Sequence, residues 1–502
     1  MTRDGGSRHW LPAWNRSTRR TGQVVTVVCL VCLLVAAIAG FALTTPTTDA
    51  SVGGERDPID PTAGIESLHE RGLTGENVTV GVVDVTGFDT SHPDLSDRVV
   101  AARSFAPGET VANGGRNDHG TAAASLVVQV APDADLYLAS FDSGSGYERA
   151  VAWMVAEEVD VVVAPVSFYG KPDDGSARVD RVTRKAATHG TLVVASAGNL
   201  GMGHWTGEFA PADEVHRFDA AVATPGITEG VGPADDPRTT DTTSSAVTGT
   251  SNEIPPPATR NALSAGSGRD LSLWLSWTDD HPTSAFALEL YAEAADGARL
   301  VARSQPYIAD GVPNERIEAK LTPGESYFFV VRGESSAAGT KLSVSSPTHA
   351  FEHRVRAESV AAPATAAQVL AVGAYDERTG RAEAFSGAGA AGSTDRGVDL
   401  LAPDRLTAAN HPDGFVGSSA AAPYAAGVAA LVLDADSGLS PREIERLLTE
   451  TATDVGDPGV DPVSGTGLVE PARAVAAARN ETTQSRFLGM PTFTTRALFR
   501  SD

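Results

Sequence analysis

Five runs of apolar, largely β-branched residues recur along the chain, and stretches of helical character separate them. The runs cover residues 78–84, 135–141, 160–167, 191–199 and 368–375. The intervening segments HGTAAASLVVQV, YERAVAWMVAEEV and RVDRVTRKAATHG have the composition of helices. Near-continuous apolar strands that alternate with helices are typical of a parallel sheet covered on both faces. We therefore predict a three-layer α/β fold over residues 61–204 and 351–479.

This alternation is interrupted over residues 205–350. The interruption contains six short, mostly alternating segments joined by polar turns, namely DLSLWLSWT, AFALELYAE, ARLVARSQ, ERIEAKL, SYFFVVRG and KLSVSS. A period of two indicates strands with one buried face. Six such strands predict a small β-sandwich domain inserted into the α/β domain. Residues 480–502 follow the last helix-like segment and are interpreted as a C-terminal tail.

Residues 24–43 form an uncharged apolar run of 20 residues, about enough to cross a hydrocarbon core of roughly 30 Å as a helix. Arginines before it predict that residues 1–23 stay in the cytoplasm and that the linker at residues 44–60 and the rest of the chain lie outside. A cleaved signal peptide and a retained anchor both fit the run, and its length favours the anchor. Cys29 and Cys32, the two cysteines of the chain, lie inside it, so the remaining residues can form no disulfide.

The charge of the chain is strongly acidic. Its 64 acidic and 39 basic residues give a formal net charge of -25, and only 4 of the basic residues are lysines. Such a surface repels nucleic acid and anionic lipid, so no nucleic-acid partner is expected. An acidic, lysine-poor composition also predicts a protein kept soluble in concentrated salt, although solvated acidic faces are common in other proteins.

The segment GSSAAAP, residues 417–423, places two serines at the start of a helix-like stretch. A hydroxyl there lies beside unpaired N–H groups and the positive end of the helix dipole, which would stabilise an oxyanion. A serine at this position is more often a simple cap, and a nucleophile also needs a base and an orienting acid. His119 opens an upstream helix-like segment, and Asp84 ends the first apolar run, at the edge where open parallel sheets carry their active sites.

The order Asp, His, Ser is that of the subtilisin-type triad, and the surrounding motifs resemble those of the subtilisin-like serine proteases, the subtilases. The similar motifs, in family order, are VGVVDVTGFDTSHPDL, HGT, LVVASAGN, GSSAAAP and the C-terminal stretch LSPREIERLLTETATDVGDPGVDPVSGTGLVEPARAV. The resemblance covers about residues 60–479 apart from the insert. It implies the subtilisin-like three-layer α/β fold and a peptidase that uses no cofactor.

The resemblance assigns roles residue by residue. It implies that Ser419 is the nucleophile, that His119 is the general base and that Asp84 orients the imidazole. Asn199 and the Ser419 backbone N–H would form the oxyanion hole. The resemblance also implies a substrate-binding strand and one wall of the specificity pocket, made of Ser167, Phe168, Tyr169 and Gly170, with the other wall made of Ala197 and Gly198. Bulky side chains at positions 168 and 169 would either narrow this pocket or pack against the insert.

The aspartate motif departs from the family pattern. It reads DVTGFD, with one residue inserted between the proposed catalytic Asp84 and Thr-Gly. A small bulge could absorb this residue, whereas a turned strand would point Asp84 away from His119, and Asp89 lies too far along to replace it. Asp94 matches a calcium ligand of some relatives, but the loop with the other ligands is missing, so we expect no metal.

The sequence thus predicts an extracytoplasmic serine endopeptidase that acts on polypeptides, anchored in the cell membrane or secreted. The alternative, from another class, is a catalytically inactive subtilase fold that serves as a binding or scaffold ectodomain. The complete set of Asp84, His119, Ser419 and Asn199 favours the enzyme, while the irregular aspartate motif supports the alternative.

Overall fold

The computed structural model describes residues 64–112, 117–171, 174–218, 255–264, 268–277, 285–294, 297–307, 314–390 and 397–488. The expectations for residues 1–23, 24–43 and 44–60 and for the end of the tail lie outside these ranges. Within them, one helix, Ser418–Ala435, has the length and composition that could span a membrane, and 89% of it is buried inside the fold.

A central sheet of eight strands runs through the α/β part of the chain. Its order is β18-β17-β5-β4-β1-β3-β2, with β19 beside β17. The strands, numbered along the chain, are β1 (Thr79–Asp84), β2 (Val99–Ser104), β3 (Asp135–Ser140), β4 (Val161–Ala164), β5 (Leu192–Ser196), β17 (Leu370–Asp376), β18 (Arg381–Ala382) and β19 (Leu400–Pro403). Every pairing is parallel except that of β17 with β18. The predicted parallel sheet is therefore confirmed.

Seven helices surround this sheet within the described residues. They are α1 (Ile65–His69), α2 (His119–Val130), α3 (Gly144–Ala156), α4 (Arg178–Ala187), α5 (Ser418–Ala435), α6 (Pro441–Glu450) and α7 (Pro471–Leu488). Two apolar cores result. One contains α1, α2, α5, α6 and α7, and the other contains α3 and α4. Successive residues of β4 enter opposite cores: Val161 and Val163 join the first, and Val162 joins the second. This alternation produces the three layers.

The long helix α5 lies at the centre of the first core and is buried along nearly its whole length. Its contact with α2 is very close at Gly427, where a Cβ atom would lie only 2.6 Å from the Cβ of Val130. Glycine is therefore required for the two helix backbones to approach each other. Because α2 begins at His119 and α5 begins at Ser418, this packing fixes the relative positions of two helix starts.

Two antiparallel sheets occupy the chain between the two α/β segments, and we call residues 204–345 the two-sheet region. The five-stranded sheet has the order β13-β14-β10-β16-β6, and the other has the order β12-β11-β15-β8-β7 with β9 beside β15. The strands are β6 (His204–Glu208), β7 (Pro211–Ala212), β8 (Val215–His216), β9 (Asn261–Leu263), β10 (Asp270–Trp277), β11 (Phe286–Ala294), β12 (Gly297–Arg303), β13 (Gln305–Pro306), β14 (Asn314–Lys320), β15 (Tyr327–Gly333) and β16 (Lys341–Ser345).

The two sheets share one apolar core rich in aromatic rings. Trp277 of one sheet contacts Phe286 of the other with ring centroids 5.1 Å apart, and Phe329 and Leu273 are fully buried between the sheets. Each of the six alternating segments found in the sequence contains a strand. The short strands β6 to β9 and β13 carried no sequence signal, because two to five residues are too few to establish a period.

Candidate active site

Asp84 is the last residue of β1, and its carboxylate is fully buried at the carboxyl end of the sheet. The backbone N–H and the hydroxyl of Thr86 both donate to Asp84 Oδ1, at 2.8 and 2.7 Å. The Thr86 hydroxyl oxygen also accepts a hydrogen bond from Gly120 N at 2.9 Å. Thr86 therefore ties the irregular aspartate motif to the start of α2, so the inserted residue does not turn Asp84 away from that helix.

His119 is the first residue of α2, and its ring is buried against the end of β1. Its Nδ1 lies 2.7 Å from Asp84 Oδ2. Since a carboxylate can only accept, Nδ1 carries the hydrogen and Nε2 is left as the basic nitrogen. The ring of Phe415 meets the imidazole edge-on, with centroids 5.1 Å apart. Gly120 allows α2 to approach the end of β1 and the turn after it, because a Cβ there would lie 3.1 Å from Asp84 Cβ and 2.4 Å from Gly87 O.

Ser419 is the second residue of α5 and is almost buried, with 9% of its surface exposed. Its hydroxyl donates to the carbonyl oxygen of Pro165 at 3.1 Å. Within the described part of the chain, no hydrogen bond joins Ser419 Oγ to His119. The structure therefore brings Asp84 and His119 together and gives Ser419 a different hydroxyl partner. A rotation about its Cα–Cβ bond would be needed to turn the hydroxyl away from Pro165.

Asn199 follows β5 and is held by the start of α5. Its Oδ1 accepts from both the backbone N–H and the hydroxyl of Ser418, at 3.1 and 3.0 Å, and the Ser418 hydroxyl oxygen accepts from Gly198 N at 3.1 Å. Because the Ser418 N–H can only donate, Nδ2 of Asn199 must face the other way. Gly417 (φ 110°) leaves room for it, since a Cβ there would lie 2.8 Å from Asn199 Nδ2. Sequence reasoning gave Ser418 no such clamping role.

A model of the subtilase family matches residues 75–467 of the chain. This protein belongs to the subtilase family. Subtilisin E of Bacillus subtilis is 36% identical to it over 150 residues, which are 27% of this chain and 38% of that protein. Subtilisin Savinase of Lederbergia lenta is 40% identical over 152 residues, which are 27% of this chain and 53% of that protein. The matched segment thus spans well under two thirds of either relative.

The fold of this subtilase is also found among solved structures. The CspB protease of Clostridium perfringens superposes with a TM-score of 0.55 at 15% sequence identity, covering 84% of this chain and 98% of that one. At this identity the likeness concerns the fold alone. It agrees with the parallel sheet and the helix layers described above.

The residues predicted to form the specificity pocket lie on both sides of a short segment that sequence reasoning missed. Ala361 N donates to Ala197 O at 2.9 Å, and Phe168 N donates to Ala362 O at 2.8 Å. Residues 361–362 therefore bridge the two predicted walls. A Cβ at Gly198 would lie 2.9 Å from the Cβ of Ala361, so this wall lies directly against the bridge. No motif marks these alanines, because it is their backbone that makes the contacts.

Phe168 and Gly170 have different neighbours. The Phe168 ring contacts Phe141 and Tyr147 in the second α/β core, with centroids 6.0 and 5.2 Å apart, and the same residue lines a cavity with residues of the two-sheet region. Gly170 contacts that region directly: its carbonyl oxygen accepts from Asn314 Nδ2 at 3.2 Å. A Cβ on Gly170 would also lie 2.7 Å from Trp274.

A cavity of about 40 Å³ separates the predicted substrate segment from the two-sheet region. It is lined by Tyr169 and Lys171 on one side and by Thr206, Ser276 and Ser343 on the other. The lining also includes apolar side chains, among them Phe168, Leu200 and Trp277. The predicted substrate segment and the two-sheet region therefore meet across one cavity of mixed polarity.

The aspartates outside the proposed triad have other surroundings. Asp89 accepts hydrogen bonds from the hydroxyl and the backbone N–H of Ser91, which lower its pKa, and among the described residues its side chain forms no hydrogen bond with His119. Asp94 is exposed beside His92. Among the residues that the structure describes, no cluster of three or more His, Cys, Asp or Glu side chains could hold a metal ion.

Proposed function

We propose that this subtilase is a serine endopeptidase that hydrolyses peptide bonds with Asp84, His119 and Ser419. The observation that carries the proposal is the 2.7 Å hydrogen bond between His119 Nδ1 and Asp84 Oδ2, both buried. This bond sets the tautomer that makes Nε2 a base, and it stabilises the imidazolium that forms when Nε2 takes a proton. The irregular aspartate motif was the main argument against activity, whereas the orientation of the Asp84 carboxylate toward His119 supports activity.

In the proposed reaction, Ser419 Oγ leaves its contact with Pro165 and attacks the carbonyl carbon of the scissile bond. Its proton moves to His119 Nε2, and the carbonyl oxygen becomes an oxyanion. His119 then gives this proton to the leaving amine nitrogen as the C–N bond breaks, which leaves an acyl ester on Ser419. Water attacks the ester with His119 as base, releases the acid and restores the hydroxyl.

Two hydrogen-bond donors are available to the oxyanion. The first is Asn199 Nδ2, because Ser418 occupies the amide oxygen of the same side chain. The second is the Ser419 backbone N–H, which has no backbone acceptor among the described residues because it lies at the open end of α5. Donors fixed in advance by the fold need no reorganisation as the charge develops. The start of α5 would add its positive dipole end.

The substrates proposed are polypeptides bound in an extended form. The segment Ser167 to Gly170 would pair with the substrate backbone as an added strand, opposite Ala197 and Gly198. Recognition through backbone hydrogen bonds depends little on side chains, so we expect a broad cleavage preference. Nothing in this arrangement calls for a cofactor.

A second candidate function is a catalytically inactive subtilase that acts as a binding or scaffold ectodomain. The Ser419 hydroxyl favours it, because this group donates to Pro165 instead of to His119. We further propose that the two-sheet region is the inserted β-sandwich domain predicted from the sequence. It would provide the binding surface in the scaffold and would support the substrate segment in the enzyme.

One experiment separates the two functions. The chain from residue 44 onward is incubated in high salt with a serine-directed fluorophosphonate and with casein, beside a Ser419→Ala variant. The enzyme is supported by labelling and casein cleavage that the variant loses. Absence of labelling in a folded parent protein would favour the scaffold, and labelling that survives in the variant would rule out Ser419 as the nucleophile.

We propose an extracytoplasmic location, with residues 24–43 as a membrane anchor and the rest of the chain outside. The apolar run and the preceding arginines support this orientation, and the net charge of -25 supports a saline environment. Fractionation of cells and protease treatment of intact cells test the location. Recovery of the full-length chain in the soluble cytoplasmic fraction would contradict it.

A further inference from the structure

A buried carboxylate that has no part in the proposed triad lies just below the start of α5. Asp404 directly follows β19, and its side chain has no exposed surface. Its Oδ2 accepts a hydrogen bond from Gly417 N at 2.9 Å. Its Oδ1 has no hydrogen-bond partner among the described residues. Leaving a buried acceptor unpaired is costly, so the fold keeps this group at the expense of stability.

The surroundings of Asp404 do not neutralise its charge. Among the described residues, the one cation within 4 Å is Arg405, whose Nε lies 3.9 Å from Asp404 Oδ1. That guanidinium is bound instead by Glu383, at 2.8 and 2.6 Å. Burial, together with the negative charges of Glu383 and Asp376, raises the pKa of Asp404 to about 7, while the hydrogen bond from Gly417 and the charge of Arg405 act in the opposite direction.

Among the described residues, Asp404 accepts one hydrogen bond, and its donor, Gly417, lies beside both proposed oxyanion donors. Gly417 has a φ of 110°, the region that favours glycine, and it lies against Asn199 Nδ2. The next residue, Ser418, binds Asn199 Oδ1, and the one after it is the proposed nucleophile. A shift of Gly417 would therefore move both proposed oxyanion donors, the Asn199 amide and the Ser419 N–H.

We propose that Asp404 is a positioning residue for the oxyanion hole: its ionised carboxylate holds Gly417 N–H and thereby aligns Asn199 and the start of α5. The inference rests on the proposed peptidase function and deepens it. A charge-assisted hydrogen bond is roughly twice as strong as a neutral one, so ionised Asp404 holds Gly417 more tightly than the protonated acid does. Asp404 touches no reacting atom and acts only through its neighbours.

This role and a merely structural role predict opposite effects on stability. Because the pKa of Asp404 is raised in the folded protein, the folded state holds a proton that the unfolded state has already lost between about pH 4 and 7. The ionised group therefore costs stability as the pH rises through this window. Replacing Asp404 by asparagine should leave stability at pH 8 unchanged or higher while it slows catalysis. A residue with a purely structural role would lose stability.

The test uses Asp404→Asn and Asp404→Ala in the full chain, assayed at pH 8 for peptide cleavage and for the rate of phosphonylation by a fluorophosphonate. We expect kcat to fall about 10-fold for asparagine and about 100-fold for alanine with KM unchanged, because misplaced oxyanion donors weaken transition-state binding alone. In an Asn199→Ala background the Asp404 substitutions should cost less than they do in the parent, since one of the two donors that they misplace is already removed.

Asp399 offers a matched control at the other end of β19. Its carboxylate accepts from Ala371 N at 2.7 Å, and burial raises its pKa to about 7 as well, but it does not contact Gly417. Asp399→Asn should therefore keep the parent kcat. Asp404 variants with kcat within twofold of the parent, or with a full additional loss in the Asn199→Ala background, would overturn the inference. A parent protein that is not phosphonylated at all would instead overturn the proposed function.

Discussion

Buried carboxylates have different partners in the two regions of the molecule. In the two-sheet region, Glu289 is 2% exposed and accepts from Tyr291 Oη at 2.7 Å and from Arg332 Nε at 2.6 Å, while Arg303 Nε lies 3.0 Å from its other oxygen. In the α/β region, Asp84 is bound by the His119 imidazole and by Thr86, and Asp404 is bound by a single backbone N–H. Glu289 is thus neutralised by permanent cations, whereas Asp84 and Asp404 are not.

This difference separates a structural use of charge from a chemical one. A guanidinium keeps its proton at any pH that a protein meets, so Glu289 and its arginines form a fixed unit. An imidazole gains and loses a proton within a catalytic cycle, and the electrostatic interaction of a neighbouring carboxylate with it changes accordingly. Of these three acids, the two without a bound guanidinium, Asp84 and Asp404, lie at the carboxyl end of the parallel sheet, where the proposed chemistry takes place.

The largest effect is expected from Asp84→Asn. The amide can still accept from Thr86, so the fold should keep its stability, but it no longer favours the tautomer that leaves His119 Nε2 basic. We expect kcat for peptide cleavage to fall about 10,000-fold. Steady-state kinetics of this variant and of Glu289→Gln check the prediction. Glu289→Gln also converts a buried carboxylate to an amide, but it should leave kcat unchanged. A similar kcat loss in both variants would show that the two regions do not differ in this way.

Asn199→Ala should have the next largest effect. Removal of one oxyanion donor lowers kcat by about 100- to 1,000-fold and leaves KM nearly unchanged, since the donor acts in the transition state. Asn261 of the two-sheet region is the control, because its side chain makes two hydrogen bonds with the backbone of His353, at 2.7 and 2.9 Å. Asn261→Ala should lower the melting temperature and keep kcat, and the reverse pattern would refute both assignments.

Acid should destabilise the two-sheet region through His204. Burial lowers the pKa of this histidine to about 4, and its ring bonds to Val355 O and Ser343 Oγ at 2.8 and 2.9 Å. As the pH falls from about 6.5 to 4, this histidine is protonated in the unfolded state but stays neutral in the folded state. The free energy of unfolding therefore falls by on the order of 3 kcal/mol.

Denaturant unfolding of the parent and of His204→Gln at pH 7 and pH 4.5 measures this loss. The variant has no imidazole to protonate and should lose less stability on acidification. Replacement of the exposed His189 by glutamine should leave the acid loss as it is in the parent. Equal acid losses in the parent and His204→Gln would contradict the prediction.

The smallest effect is expected from Glu289→Gln on stability. The change removes the charge that Arg332 and Arg303 share, but these side chains are 36% and 68% exposed and can be hydrated by water. We therefore expect a loss of about 1–3 kcal/mol in the free energy of unfolding, less than for a fully buried pair. Denaturant titration checks the value, and no loss would mean that the Glu289 network contributes nothing to the sheet.

The sequence was most informative where residues are buried on both faces of a sheet. The strands β1, β3, β4, β5 and β17 were predicted from continuous apolar runs, since a parallel sheet between two helix layers requires them. Strand β2 was missed because it lies at an edge, where VVAARS is half exposed and mixes apolar with polar residues. The six longer strands of the two-sheet region were visible through their period of two.

The site was less predictable, because its geometry depends on contacts between distant segments. The orientation of Asp84 follows from the Thr86 hydroxyl, which is hydrogen-bonded both to Asp84 at the end of β1 and to Gly120 of α2. No sequence motif predicts this pair of hydrogen bonds. The ring of Phe168 could not be assigned from the sequence, since its neighbours Phe141 and Tyr147 come from other parts of the chain. The Ser419 hydroxyl pointed at Pro165 is a rotamer, which a sequence does not encode.

The proposed nucleophile lies on the most deeply enclosed helix of the α/β region, and this has a consequence for inactivation. Since α5 is embedded in the first core from Ser418 to Leu433, local fraying cannot carry Ser419 away from its neighbours. Heat should therefore abolish turnover in one cooperative step, at the temperature where the calorimetric transition of the α/β region occurs. Residual activity would then report directly on the population of intact molecules.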